Sequence, residues 1–254
     1  MLLKTEHLTK NFGGLTALNK VDFEINEGEL VAIIGPNGAG KSTFFNVISG
    51  FYRPSSGTIK FMGKEITNLE THNFARLGIG RTFQTTHLFT DSTVLDNLII
   101  GYRSKTKMGF FDAIFYSPRS RREENMCREK AEEILDFIGL LEFKNYPVAN
   151  ISQEAAKRLA IGLALVTEPR LLLLDEPAAG INHGETTNLA NLIKKIQQSG
   201  ITVCLIEHKM KMVMNLAEKI MVLNYGTKIA EGTPKEVSEN ERVIEAYLGG
   251  VEHA

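Results

Sequence analysis

Apolar and polar residues alternate in LLKTEHL (2–8) and KVDFEI (20–25), which predicts strands with one buried face, while ELVAIIG (29–35) is a continuous apolar run of the buried-strand type. A glycine-rich turn follows, then a helix from about Lys41 to Ser49. SSGTIKFMG (55–63) reads as a hairpin strand, and EITNLETHNFARLGIG holds a short helix that stops at Gly78. From about Thr86 to Val166 the period changes to that of helices, in TVLDNLIIG, GFFDAIFY, RREENMCREKAEEILDFIGL and NYPVANISQEAAKRLAIGLAL. After Pro169 strands and helices alternate again through RLLLLDEP, ETTNLANLIKKIQQ, ITVCLIEH, EKIMVLNYG and TKIAEG. A helix-rich stretch between two α/β stretches implies an insertion that completes a lobe of its own. The expectation is one α/β domain over 1–254, with 1–85 and 167–254 forming the core and 86–166 a helical subdomain.

Composition narrows the function classes. Lys+Arg is 29 against Asp+Glu 30, so no net field argues for nucleic acid or an anionic membrane surface. The charges of RSRREEN read as a solvated helix start. Cys127 and Cys204 are far apart and fit no metal or redox spacing, and Cys204 lies in an apolar strand-like run, which makes it core. The amino-terminal MLLKTEHLTKNFG is too polar for a signal peptide. No window approaches the ~18 apolar residues of a membrane span. A cytosolic protein is expected, with any membrane role peripheral.

Two motifs carry chemistry. GPNGAGKS (35–42) matches G-x-x-x-x-G-K-[ST] between a strand and a helix, the context that gives the pattern meaning. Its glycines Gly35, Gly38 and Gly40 let backbone N–H groups turn inward around phosphate oxygens, aided by the positive end of the helix, and Pro36, Asn37 and Ala39 complete the ATP-binding turn. Lys41 offers a point charge to the β- and γ-phosphates, Ser42 a hydroxyl to Mg²⁺, and Thr43 a hydrogen bond to the α-phosphate. In LLLLDE (171–176) a buried strand delivers Asp175 to the Mg²⁺ shell and Glu176 to the water that attacks the γ-phosphate. Phosphoryl transfer needs positioning and charge neutralisation more than covalent chemistry, so one base and one metal suffice.

With these motifs in place the chain resembles the nucleotide-binding subunits of ABC transporters, over nearly its whole length. The resemblance implies a P-loop NTPase core of the ABC ATPase type with an inserted α-helical subdomain and an N-terminal antiparallel β subdomain. It implies further that Phe12, in TKNFGGLTAL, stacks on the adenine of ATP. GRTFQ (80–84) resembles the segment whose glutamine joins core and helical lobe, so Gln84 would sense Mg²⁺ and the attacking water. AAGIN (178–182) resembles the loop that touches the opposite subunit, with Asn182 at its end. LIEHK (205–209) resembles the switch segment, making His208 the group that reaches the γ-phosphate. GIGRTFQTTHLFTDSTVLDNLIIG, MGFFDAIFYSPRSRREE, DEPAAGIN and VIEAYLGG together resemble the ATP-binding subunits of bacterial branched-chain amino-acid importers, which usually work beside a second, similar subunit.

One stretch departs from that pattern. Before KRLAIGLAL the family carries L-S-G-G-Q or L-S-Y-G-Q at a helix start that points at the γ-phosphate held by the other subunit. Here Ile151, Ser152, Gln153, Glu154 and Ala155 stand there, and Leu163 stands where an arginine is common. Ser152 with Glu154 in the first turn makes a good helix cap. As an anion surface it is worse: two like charges roughly 4 Å apart cost about 4 kcal/mol at an effective dielectric of about 20, which disfavours closure by about a thousandfold if Glu154 stays charged and points inward. The chain either pairs with a partner whose intact signature completes its P-loop, or carries an altered segment.

The leading reading is an ATP-hydrolysing subunit, using ATP and Mg²⁺, that pairs with a second ATP-binding subunit as hetero- or homodimer. It docks through its helical subdomain on an integral-membrane permease, which receives solute from a periplasmic binding protein, so it would sit peripherally on the cytoplasmic face of the membrane. The alternatives are a nucleotide-binding regulatory subunit with little hydrolysis and a soluble non-transport ABC ATPase. The intact Glu176 and His208 argue against the first, and the absence of fused tandem domains or long coiled-coil inserts argues against the second.

Overall fold

The computed structural model describes residues 1–82, 88–103 and 118–248, so the helix expected over GFFDAIFY (109–116) and the glutamine Gln84 lie outside the described residues. The chain divides into two compact units, 1–84 with 170–254, and 85–169. The second boundary falls three residues beyond the position expected from the hydrophobic pattern. Backbone bonds from Thr167 to Ala164 and from Glu168 to Leu165 keep the chain tied to the preceding helix up to Pro169.

In the first unit, β1 (Leu3–Phe12) and β2 (Leu15–Ile25) form an antiparallel ribbon. They extend past the alternating stretches because the ladder continues through Asn11↔Thr16 and Phe12↔Leu15, where both strands are largely solvated and the side-chain pattern carries no signal. With β4 (Ser56–Phe61) and β5 (Lys64–Glu65) they form a sheet in the order β2-β1-β4-β5. Leu3, Leu8, Val21, Phe23, Ile59 and Phe61 turn inward to meet Phe44, Phe45 and Ile48 of the helix Lys41–Ile48 in a shared core.

The central sheet holds β3 (Leu30–Ile34), β6 (Ile79–Arg81), β7 (Leu171–Asp175), β8 (Thr202–Ile206), β9 (Lys219–Asn224) and β10 (Thr227–Gly232) in the order β10-β9-β3-β8-β7-β6. The pairs β9–β3, β3–β8, β8–β7 and β7–β6 are parallel, and β10 closes the edge antiparallel to β9. Every residue of β3, β7 and β8 is buried, as parallel strands covered on both faces must be. The three-residue β6 was not anticipated, since so short a strand shows no period. Because β3, β7 and β8 run parallel, the loops that leave them at Gly35, Glu176 and Glu207 emerge at one edge, the carboxyl edge where α/β sheets bind ligands.

In the second unit, the helices Val94–Arg103, Pro118–Phe137 and Gln153–Leu165 bury Val94, Leu98, Ala131, Leu135, Leu159 and Ile161. A Cβ on Gly162 would sit 2.8 Å from Ile138 Cδ1, so the glycine sets how closely the last helix packs. Arg128–Glu132 and Lys130–Glu133 pairs decorate the outer face of the long helix. No helix among the described residues is long and apolar enough to cross a membrane.

Candidate active site

β3 delivers the chain to a turn whose backbone only glycine accepts. At Gly35, with φ +151°, a Cβ would lie 2.1 Å from the Leu223 carbonyl oxygen; at Gly40, with φ +101°, it would lie 2.6 Å from that of Ala17. Gly226 N–H donates to the Ala39 carbonyl at 2.9 Å, which ties the turn to the β9–β10 hairpin. Gly40 is the N-cap of the following helix and no side chain caps it, an arrangement whose first N–H groups can receive an anion. Lys41 Nζ donates to the Gly35 and Pro36 carbonyls at 2.7 and 2.9 Å. Burial lowers the ammonium's pKa, and the nearby Glu176 charge partly opposes the shift.

A cleft of about 510 Å³ runs beside this turn, lined by Phe12, Leu15, Tyr225 and the residues from Gly38 to Thr43. Phe12, at the end of β1, is exposed and meets Tyr52 edge-on at 5.3 Å, with Lys10 Nζ over both rings. An exposed aromatic beside a phosphate seat can stack on a base. Tyr225 lines the same cleft and played no part in the sequence reading.

At the carboxyl edge, Asp175 is buried and paired with Arg81 of β6, Nη2 to Oδ2 at 2.9 Å. Arg81 Nη1 also donates to Asn46 Oδ1 and Ser49 Oγ. Asp175 Oδ1 is buried with no hydrogen-bond partner among the described residues. Desolvation raises the Asp175 pKa; Arg81 holds it back and the Glu176 charge adds to the rise.

Glu176 adopts φ +47°, a left-handed conformation costing about 1–3 kcal/mol outside glycine. Its N–H donates to the Ile206 carbonyl at 3.0 Å and its carbonyl accepts from Ala179 N–H at 3.1 Å. The carboxylate stands 3.0 Å from His208 Nε2, with the donor set by the imidazole tautomer. The structure thus brings together two residues 32 apart in sequence that the motif reading assigned to one reaction. Asn182 serves locally as N-cap of the helix His183–Gln198, in a reciprocal capping box with Glu185.

Sequence reading missed two charged residues here. Arg81 lies within GRTFQ and Glu207 within LIEHK, and neither motif singles it out. Glu207 is fully buried, its Oε1 accepting from Ala178 N–H at 2.7 Å and its Oε2 from His208 and Lys209 N–H at 2.9 and 3.2 Å. The available signal was a carboxylate directly after the apolar run ITVCLI.

In the second unit, Ser152 caps the helix Gln153–Leu165, its Oγ accepting from Ala155 N–H at 3.1 Å. Glu154 does not present the uncompensated charge expected of it. Arg158 Nε donates to Glu154 Oε1 at 2.5 Å, and Arg158 Nη1 reaches the Ile138 carbonyl at 3.3 Å. The condition attached to the like-charge penalty, a charge left uncompensated, is thus not what the helix presents, since a cation one turn on pairs with the carboxylate. Leu163 packs toward Gly101, where an added Cβ would be 3.0 Å from its Cδ2.

The profile of the ABC transporter family matches residues 18–179, spanning the glycine-rich turn, the 151–155 stretch and the Asp175–Glu176 pair. The chain belongs to the ABC transporter family. As an ABC cassette it is a nucleotide-binding ATPase, and a second profile, that of the branched-chain amino acid ATP-binding cassette transporter, matches residues 227–253. The cassette is 43% identical over 249 residues to the high-affinity branched-chain amino acid transport ATP-binding protein LivG of Salmonella typhimurium, covering 98% of each chain. It is 42% identical to the corresponding protein BraF of Pseudomonas aeruginosa, again over 98% of each. Among solved structures it resembles the ADP conformation of an ATP-binding cassette of an ABC transporter, at TM-score 0.86 and 37% identity over 98% of each chain. It also resembles a nucleotide-free cassette, at TM-score 0.85 and 37% identity, covering 97% of this chain and 98% of the other.

Proposed function

We propose that this cassette is the ATP-binding and ATP-hydrolysing subunit of a bacterial importer for branched-chain amino acids. The identity to transport ATP-binding proteins of that substrate class supports the substrate. The contact between Glu176 and His208 at the strand edge that also carries the glycine-rich turn is the observation that supports the chemistry.

Phe12 stacks on the base, and the backbone N–H groups from Asn37 to Thr43, with the Lys41 ammonium, hold the phosphates. Lys41 leaves the Gly35 and Pro36 carbonyls for the β- and γ-phosphate oxygens, a better-matched partner for an ammonium. Mg²⁺ would be held by Ser42 and Asp175, and it supplies charge neutralisation across the phosphates. The buried Asp175 Oδ1, without a hydrogen-bond partner among the described residues, is the kind of hard oxygen such an ion takes. Glu176 accepts a proton from water, and His208 orients Glu176 while presenting its ring to the γ-phosphate. Gln84 enters this reading on the family resemblance alone, as a further sensor of Mg²⁺ and water.

The partners in this proposal are a second ATP-binding subunit, whose signature faces this P-loop, and a permease that receives the helical subdomain on the inner face of the cell membrane. A periplasmic solute-binding protein acts indirectly, and nucleic acid has no part. The test is ATP-dependent uptake of leucine, isoleucine and valine by vesicles holding the permease, with this chain alone or with its cognate second subunit. Uptake that needs this chain and an intact Glu176 supports the proposal. Uptake of an unrelated solute only, or uptake indifferent to Glu176→Gln, overturns it.

A further inference from the structure

β7 and β8 are parallel neighbours, and their last registered pair is Asp175↔Ile206. The next residues, Glu176 and Glu207, therefore leave adjacent strands side by side. Glu176 turns to His208, while Glu207 turns inward and is buried among backbone amides. A buried carboxylate is costly to desolvate unless donors surround it. Here one oxygen serves the loop after Glu176, through Ala178 N–H, and the other serves the loop of His208, through the amides of His208 and Lys209.

An acceptor that only satisfied stray amides could sit within one loop. This one divides its two oxygens between two loops, so a shift of either displaces the other. Lys209 repeats the link from the far side of His208, its Nζ donating to the Ile181 carbonyl and to Thr186 Oγ1, both at 2.8 Å. His208 is thus flanked by two side chains that reach back into the segment following Glu176, while its own ring faces the Glu176 carboxylate. Glu176 also sits at φ +47°, which persists only where the surroundings over-determine the backbone.

We infer that Glu207, seconded by Lys209, is a positioning residue that sets the contact between Glu176 and His208 by clamping their two loops together. The inference rests on the proposed roles of Glu176 and His208 in hydrolysis. Both Glu207 oxygens are taken up by backbone amides, so it acts through the pair. Glu207→Gln keeps the size but turns one acceptor oxygen into an NH₂ donor, which faces an amide N–H and opens one side of the clamp.

The test measures MgATP turnover, ATP affinity and melting temperature of the full chain, assayed with its partner ATP-binding subunit. Glu207→Gln is expected to lower kcat roughly ten- to hundredfold, the scale of a small misplacement of reacting groups, with KM for ATP nearly unchanged and Tm lowered because a buried amide loses its acceptor. In a His208→Ala background the same substitution is expected to change kcat less than about twofold, because residues acting as one unit are not additive. Wild-type kcat in Glu207→Gln, or a loss of equal factor in both backgrounds, overturns the inference. If Glu207→Gln does not fold, Lys209→Met carries the test with the same kcat-specific loss expected, and unchanged kcat there overturns it. Full turnover in both His208→Ala and Glu176→Gln would instead remove the assignment of the pair, a result distinct from failure of the clamp.

Discussion

Arg158 holds Glu154 by an Nε–Oε1 hydrogen bond of 2.5 Å, one turn along the helix that begins at Gln153. The carboxylate occupying the signature glycine position is therefore compensated within its own helix.

For the isolated chain, Arg158→Met should reduce ATPase activity below that of the unmodified protein, since it leaves Glu154 charged at the helix start. Glu154→Gly should raise activity in part, and Gln153→Gly, Glu154→Gly and Ala155→Gln together should raise it further. The glycine costs roughly 0.5–1 kcal/mol of stability in a helical first turn. Steady-state turnover of the three variants against the parent checks the order. Equal rates throughout would show that Glu154 has no part in closure.

Arg81→Met should destabilise the fold by about 3–5 kcal/mol, because it strands a buried Asp175 without its cation. The Asp175 pKa is raised by desolvation even with Arg81 present, and the substitution raises it further. A carboxyl whose folded pKa lies above the unfolded value takes up a proton on folding, so its cost is present at neutral pH and relieved as pH falls through the folded pKa. Denaturant melts of parent and variant should therefore differ most near pH 7 and converge on acidification. A gap that widens at low pH would contradict the desolvation account.

Lys41→Met should weaken ATP binding by about ten- to a hundredfold, the worth of hydrogen bonds from a charged donor. Without nucleotide the same variant should change stability little, because relief of the buried charge offsets the hydrogen bonds given up at the Gly35 and Pro36 carbonyls. Burial lowers the Lys41 pKa, so the folded state disfavours its charged form, and that penalty is present at neutral pH and fades as pH rises past the folded pKa toward the ordinary lysine value. Calorimetric titration with ATP, paired with melts at pH 7 and 9.5, separates the two effects. Unchanged affinity would remove Lys41 from the phosphate seat.

Glu176→Gln should retain ATP affinity, lose turnover by a hundredfold or more as expected when a positioned general base is removed, and favour an ATP-dependent dimer. Gel filtration with and without ATP reads the dimer, and a coupled assay reads turnover. Wild-type turnover would place the base elsewhere.

The glycine-rich turn and the Asp175–Glu176 pair were legible in the sequence because each is a local event. Residues 35–42 carry the glycines that a tight backbone needs within eight positions, and four leucines ahead of two carboxylates spell a buried strand with a polar end. Ser152 as a helix cap was equally local, its partner lying three residues on. The strand Ile79–Arg81 was not legible, since three residues carry no period and only the edge of β7 holds them.

The sequence by itself determined where the glycine-rich turn and the Asp175–Glu176 pair lie along the chain, and which helices and strands carry them. Only the tertiary structure decided that Arg81 neutralises Asp175, 94 residues away, and that Glu207 ties down Ala178, 29 residues away. Those contacts follow from β6, β7 and β8 lying side by side in parallel register. Strand order and register are set by how apolar surface is buried between distant segments, and neither leaves a mark in the local spacing of residues.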